Sequence, residues 1–191
     1  REAMLLCEAA GYDVVIVETV GVGQSETTVA GMVDLFCLLQ LPNAGDDLQA
    51  IKKGIVEIAD MVVINKADID PKATAVARAQ WRNALHLVRR LSANWEPPVL
   101  TVSALQKEGM KEFWENVGKY RDTLTATGEF AQKRRHQSLA WMWQLIEAGL
   151  HEQFRAHPGV QESLPRLSAS VENGLTTPAA AAHALLAHLK H

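Results

Sequence analysis

Apolar residues in the first two thirds of the chain fall into two kinds of pattern. Asp13-Val14-Val15-Ile16-Val17 is short, β-branched and almost uniformly apolar, as a strand covered on both faces should be. Residues 33–39, Met61-Val62-Val63-Ile64 and Val99-Leu100-Thr101-Val102 repeat that pattern. Between these runs the apolar spacing is helical. Leu48, Ile51, Ile55 and Ile58 share one face, as do Val76, Trp81, Ala84, Leu85, Val88 and Leu91. Met110, Phe113, Trp114, Val117 and Leu124 form a third stripe. Asp70 is placed to cap the second of these helices, with Pro71 in its first turn, where a ring without an N–H loses nothing. Strand–helix alternation predicts an α/β fold, a partial doubly wound and mainly parallel sheet. Ligands in such sheets sit beyond the carboxyl ends of the strands.

The pattern changes near residue 126, and no strand is predicted after it. Residues 130–154 read as one long helix with Leu139, Met142, Trp143, Ile146, Leu150 and Phe154 on one face. Trp141 and Leu145 lie off that face, which predicts burial against a second surface. His157-Pro158-Gly159 breaks the helix, a shorter one carries Val160, Leu164, Leu167 and Val171, and Thr177-Pro178 opens a last one. The expected organisation is therefore residues 1–127 as part of an α/β domain and residues 128–191 as an all-helical arm. The basic run Lys133-Arg134-Arg135-His136 reads as a solvated helix face.

Composition narrows the function classes. The 191 residues are 48% hydrophobic, ample for a core, and carry 19 basic against 22 acidic side chains. A net charge of −3 argues against a nucleic-acid partner. No apolar run reaches the length of a membrane span. Cys7 and Cys37 form no disulfide or metal pattern, which points to an intracellular, reducing compartment, and a bacterial cytoplasmic location is expected. The chain starts at Arg1 in what reads as mid-helix, so further residues, including any targeting segment, are expected upstream.

Three loops carry candidate chemistry. Asn65-Lys66-Ala67-Asp68 follows the third apolar run and forms an N-K-x-D tetrad. The Asp68 carboxylate can accept from both N1–H and the 2-amino group of guanine. Adenine offers neither donor, and an unpaired carboxylate there costs a few kcal/mol, roughly a hundredfold in affinity. The Lys66 stem can cover the base, and the Asn65 amide can brace the loop. Ser103-Ala104 ends the fourth run, where small side chains let backbone N–H groups approach a base oxygen. Glu18-Thr19-Val20-Gly21-Val22-Gly23 ends the first run. Its carboxylate suits Mg²⁺, mostly through water. Gly21 and Gly23 permit close approach of backbone to a terminal phosphate.

In this order the three loops resemble the later motifs of a P-loop GTPase. The string from Glu18 to Glu26, with Leu41-Pro-Asn-Ala-Gly-Asp-Asp-Leu-Gln-Ala-Ile-Lys-Lys-Gly54, is similar to the MeaB/ArgK group, whose members are also labelled LAO/AO transport ATPases. That resemblance implies a GTPase chaperone binding GTP/GDP with Mg²⁺, gating cobalamin loading and protecting methylmalonyl-CoA mutase, a cobalamin-dependent acyl-CoA mutase. It implies Glu18 at the magnesium, Gly21 and Gly23 at the γ-phosphate and switch, and Asn65, Lys66, Asp68, Ser103 and Ala104 at guanine. Residues 45–53 would form an extra switch facing the mutase, and the helical tail a homodimerisation arm. No catalytic residue is assigned.

The chain departs from the family in one respect: it contains no G-x-x-x-x-G-K-[ST]. That motif supplies the phosphate cradle, so it is expected upstream of Arg1, and the 191 residues alone are expected to be inactive. Two alternatives accompany this reading. One is a nickel-type metal-insertion GTPase, which would normally display a Cys- or His-rich motif. The other is an oligomerisation fragment that no longer binds nucleotide.

Overall fold

The computed structural model describes residues 1–19, 25–42, 53–88 and 92–190. Leu48, Ile51, Leu91, Gly21, Gly23 and nearly all of the 45–53 segment lie outside them. The described chain forms two compact units, Arg1–Gln137 and Ser138–His191.

The first unit is built on three parallel strands, β1 (Cys37–Gln40), β2 (Met61–Ile64) and β3 (Val99–Thr101), in that order across the sheet. Cys37 pairs with Met61 and Val62 with Val99, so the register runs straight through. β2 is central and buried at all four positions, which is why its sequence is apolar without alternation. Successive side chains point to opposite faces and define two cores. Phe36, Leu38, Val62, Ile64 and Val99 meet Val56, Ala77 and Trp81 on one face. Met61, Val63, Leu100 and Val102 meet Phe113 and Val117 on the other. Helices α1 (Glu2–Ala9), α2 (Ser25–Ala30), α3 (Lys53–Ile58), α4 (Pro71–Leu87) and α5 (Met110–Ala126) surround the sheet or lead into it. α4 starts as its sequence predicts, with the Asp70 carboxylate accepting from Ala73 N at 2.9 Å. Its buried side is set by Thr74, Ala77 and Trp81, while Val76 faces outward. On α5, Tyr120 and Leu124 are buried, whereas Met110 and Trp114 are exposed.

Two strand predictions need correction. Residues 13–17 form no strand. A strand needs a neighbour to take its N–H and C=O groups, and no described strand runs beside this segment. Val14 and Ile16 are consequently exposed, as is Leu39 on β1. The predicted strand over 33–39 shrinks to Cys37–Gln40 because its first half is bonded elsewhere. Phe36 N donates to the Asp60 carboxylate at 2.9 Å, and Asp60 N donates to Phe36 O at 3.0 Å. Val33 O and Asp34 O accept from Gln137 and Lys133.

That bonding also corrects the reading of the basic run. Lys133 sits near the start of the long helix α6 (Glu129–Ala156) and is only a quarter exposed. Its ammonium donates to Asp60 Oδ2 at 2.8 Å, Asp34 O at 2.7 Å and Tyr120 OH at 3.0 Å. The Tyr120 hydroxyl donates to Asp34 O, and its ring meets Trp95 edge-on at 5.1 Å. Trp95 Nε1 donates to Asp60 O. Burial first, then the Asp60 charge, holds the Tyr120 phenol far above its ordinary range. Arg134 forks onto the Asp34 carboxylate and reaches Glu8 at 3.3 Å. Hydrogen bonding to Asp34 raises its already high pKa. Lys133 is an anchor where the sequence predicted a solvated surface, while Arg134, Arg135 and His136 are exposed as predicted, Arg134 paired with Asp34 at the surface.

The second unit holds the rest of α6, α7 (Pro158–Glu172), α8 (Pro178–Ala187) and a short 3₁₀ turn, His188–Lys190. Thr177 caps α8 as predicted, accepting from Ala180 N at 3.2 Å. Val160, Ala181 and Leu185 are buried. Gly159 lies against the His188 ring, which would have to shift for a Cβ, since that atom would stand 2.6 Å from His188 Nδ1. On α6, Leu139, Met142, Trp143, Ile146 and Leu150 of the predicted stripe are exposed among the described residues, as is Leu145 off that face. No helix among the described residues is long and apolar enough to cross a membrane.

Candidate nucleotide-binding site

The loops after β2 and β3 meet at the carboxyl end of the sheet, and Asn65 joins them. Asn65 N donates to Gln40 O at 2.8 Å, fixing the residue against the end of β1. Its side-chain Oδ1 then accepts twice, from Lys66 N at 2.8 Å and from Ala104 N at 3.1 Å. One amide oxygen thus ties the tetrad to the Ser103-Ala104 turn. A second tie runs from Ala67 N to Val102 O at 3.1 Å. Lys66 is held at φ 60°, a left-handed conformation that a non-glycine residue adopts at a cost of about 1–3 kcal/mol. The Asn65 bond and an Ile69 N–H bond to Lys66 O stabilise it. This geometry leaves the side chains of Lys66 and Asp68 exposed at the mouth of the sheet.

The turn after β3 is closed from inside. Ser103 is 1% exposed, and its Oγ accepts from Gln106 N at 3.0 Å. Its backbone exchanges two bonds of 3.1 Å with Glu108. Gly109, at φ 74°, follows where a Cβ would stand 2.6 Å from Thr101 O, so only glycine fits. The N–H groups of Ser103 and Ala104 are therefore both engaged by the protein, and Ser103 shapes the turn from beneath. On its outer side Asn65 Oδ1 reaches Ala104 N, and the side chains of Lys66 and Asp68 are exposed.

Glu18 lies apart from these loops in the sequence, exposed, at the end of the irregular segment 13–19. Among the described residues no group of three or more His, Cys, Asp or Glu is arranged to hold a metal ion. A lone exposed carboxylate does not fit a structural zinc or nickel site. It fits Mg²⁺, which keeps most of its water and takes further oxygens from phosphate. Burial pushes the Cys37 thiol up to about 11.

The sequence reading missed Asp60, Tyr120, Lys133, Arg134 and Gln137, which fasten α6 to the start of β1. Their signal was weak, because an Asp before an apolar strand and a basic run on a helix are both common surface features.

Comparison with known proteins agrees with the architecture. The chain is 49% identical over 187 residues to a protein called putative GTPase from Caulobacter vibrioides, covering 98% of this chain and 57% of that one. It is 48% identical over 179 residues to the GTPase ArgK of Escherichia coli, covering 93% and 54%. It is 45% identical over 191 residues to the mitochondrial methylmalonic aciduria type A homolog of Mus musculus, covering 100% and 46%. The chain thus spans about half the length of these relatives. A solved structure titled LAO/AO transport system kinase superposes with a TM-score of 0.79 at 42% identity, covering all of this chain and 61% of that one. Residues 1–159 match the family described as methylmalonyl Co-A mutase-associated GTPase MeaB, and the chain belongs to that family.

Proposed function

We propose that these 191 residues are the later part of a GTPase domain and its helical arm, in a protein that hydrolyses GTP to GDP and phosphate. The observation that carries this reading is the double acceptance by Asn65 Oδ1. It makes the tetrad and the Ser103-Ala104 turn one wall of a purine pocket. Asp68 selects guanine through its N1–H and 2-amino group, and the Lys66 stem covers the base. Guanine O6 would approach the turn at Ala104 and share its N–H with Asn65 Oδ1, with Ser103 holding that turn closed. Magnesium, carried in with the nucleotide, would neutralise charge on the terminal phosphates. Glu18 would hold it through water, and Gly21 and Gly23 would face the γ-phosphate.

The family description supports an association with methylmalonyl-CoA mutase. In that role GTP binding and hydrolysis would gate cobalamin loading and protect the mutase, with residues 45–53 as the communicating switch. The 191 residues contain no G-x-x-x-x-G-K-[ST], so in this reading the phosphate cradle would be supplied by another part of the protein. Phosphate release by the intact protein is therefore expected with GTP and Mg²⁺, weakly with ATP, and not from the 191-residue chain alone. Equal turnover of ATP, or robust turnover by the 191 residues, would sink this reading.

The exposed stripe on α6 supports a homodimer made through residues 128–191. Trp143 and Leu150, each 59% exposed, are the natural centre of such a contact. Replacing both by Glu is expected to halve the mass of the intact protein in sedimentation without changing its GDP affinity. An unchanged mass would remove the arm from the dimer contact.

A further inference from the structure

β3 is the end strand of the sheet, and among the described residues no strand lies on its outer side. On its inner side Pro98 O accepts from Val62 N at 3.0 Å, and Val102 N donates to Ile64 O at 2.9 Å. Alternate residues of a parallel ladder turn their backbone groups to opposite sides, so those of Val99 and Thr101 point outward. Gly109 sits close against Thr101 O, and Pro97 has no N–H, which leaves the edge open around Val99. Two open cavities, of about 530 and 640 Å³, run along this edge. Arg78 and Arg82, one turn apart on α4, wall both of them. The Arg78 Nε is buried and has no hydrogen-bond partner among the described residues, a cost that an acceptor brought by a ligand would remove. The α5 wall of the larger cavity carries Glu112 and Glu115, with one cation, Lys119. Glu115 is paired only loosely, with Lys111 at 3.9 Å.

The two walls belong to opposite faces of the sheet. Val99 packs with Ala77 and Trp81 of α4, whereas Leu100 packs with Phe113 and Val117 of α5. A strand added to the edge would turn successive side chains toward these two faces in alternation. We propose that the outer edge of β3 binds an extended peptide segment of another protein, one whose acidic and basic residues alternate. Its backbone pairs with Val99, as in other sheet-edge recognition. The residue beside Val99 faces α4, where its carboxylate meets Arg78 and Arg82. Its neighbours on either side face α5, where their cations meet Glu112 and Glu115. The charges thereby set the register, because a slip of one residue would place every charge against its like. A second copy of the chain suits the edge poorly. Antiparallel pairing of two β3 strands about a two-fold axis keeps each face on its own side, so arginine would meet arginine and glutamate would meet glutamate.

Two labelled peptides with blocked ends test this on the intact protein. One alternates Glu and Lys, and the other joins a block of Glu to a block of Lys at the same length and composition. Only the first puts a single sign of charge on each face of an added strand. Fluorescence anisotropy should show the alternating peptide binding tighter by roughly tenfold or more. Arg82 is exposed, so Arg82→Glu should leave the thermal melt unchanged while removing that preference. Glu112→Lys, on the other wall, should weaken it as well. Equal affinities of the wild-type protein for the two peptides would overturn the proposal, as would a preference that survives Arg82→Glu. Self-association through this edge in place of peptide binding would assign it to a second copy and overturn the proposal equally.

Discussion

With Asp68 replaced by Asn in the intact protein, GDP affinity falls roughly a hundredfold and xanthosine diphosphate becomes the better ligand. The reason lies in the donor pattern at the purine edge. A carboxylate offers two acceptors, which match guanine's N1–H and 2-amino group. An Asn side chain offers one acceptor and one donor. Its NH₂ group then faces the guanine amine, donor against donor, inside a contact from which water has been displaced. Xanthine keeps N1–H but carries a carbonyl at position 2, so the Asn amide meets it in the right sense. The substitution changes no bond that holds the loops, because the ties run through Asn65 Oδ1 and the Ala67 N–H and Asp68 is exposed. The melting temperature should therefore stay at the wild-type value. Calorimetric titration with the two diphosphates reads the exchange directly. An Asp68→Asn protein that still prefers GDP would show that the carboxylate does not read the base.

The second large effect is on stability. Lys133→Met is expected to destabilise the intact protein by about 3–5 kcal/mol, because it leaves the buried Asp60 carboxylate without its counter-charge. Asp60 is 8% exposed at its side chain and keeps only the Phe36 N–H and its contact with Tyr120. For a protein of this size or somewhat larger, that loss lowers the melting temperature by roughly 10 °C. Pairing Lys133→Met with Asp60→Asn should recover part of the loss, since neither charge is then stranded. Thermal melts of the two single variants and the double one measure the coupling. A single-variant loss below about 1 kcal/mol would mean that water reaches Asp60 and the pair is a surface one.

Much of this architecture was legible before any coordinates. β2 and β3 could be found from their short apolar runs because a strand covered on both faces has no reason to alternate. The starts of α4 and α8 were readable from Asp70-Pro71 and Thr177-Pro178, where the capping oxygen and the proline each act locally. Residues 13–17 misled because apolarity reports burial somewhere, not pairing with a strand present in the same chain. Val33 to Phe36 misled for a related reason. Their backbone is bonded by Asp60, Lys133 and Gln137, which are distant in sequence and invisible to any local pattern.

The candidate site shows the same division. The N-K-x-D letters identified Asn65 as a brace, yet its bond to Ala104 spans 39 residues and only the fold brings the two together. Ser103 was readable as part of the turn, while its inward orientation depends on Gln106 and Glu108. Within the basic run at 133–136 it was Lys133 that was misread, because charge on a helix predicts water. Asp34, Asp60 and Tyr120 are supplied by three other elements.

The central claim is that the loops after β2 and β3 form one pocket that reads guanine through Asp68. The most direct test is a paired calorimetric titration of the intact protein with GDP and ADP in the presence of Mg²⁺. The two ligands share every phosphate contact and differ only at the base, so their difference isolates the pocket. GDP should bind about a hundredfold more tightly than ADP; equal affinities for the two would contradict the account.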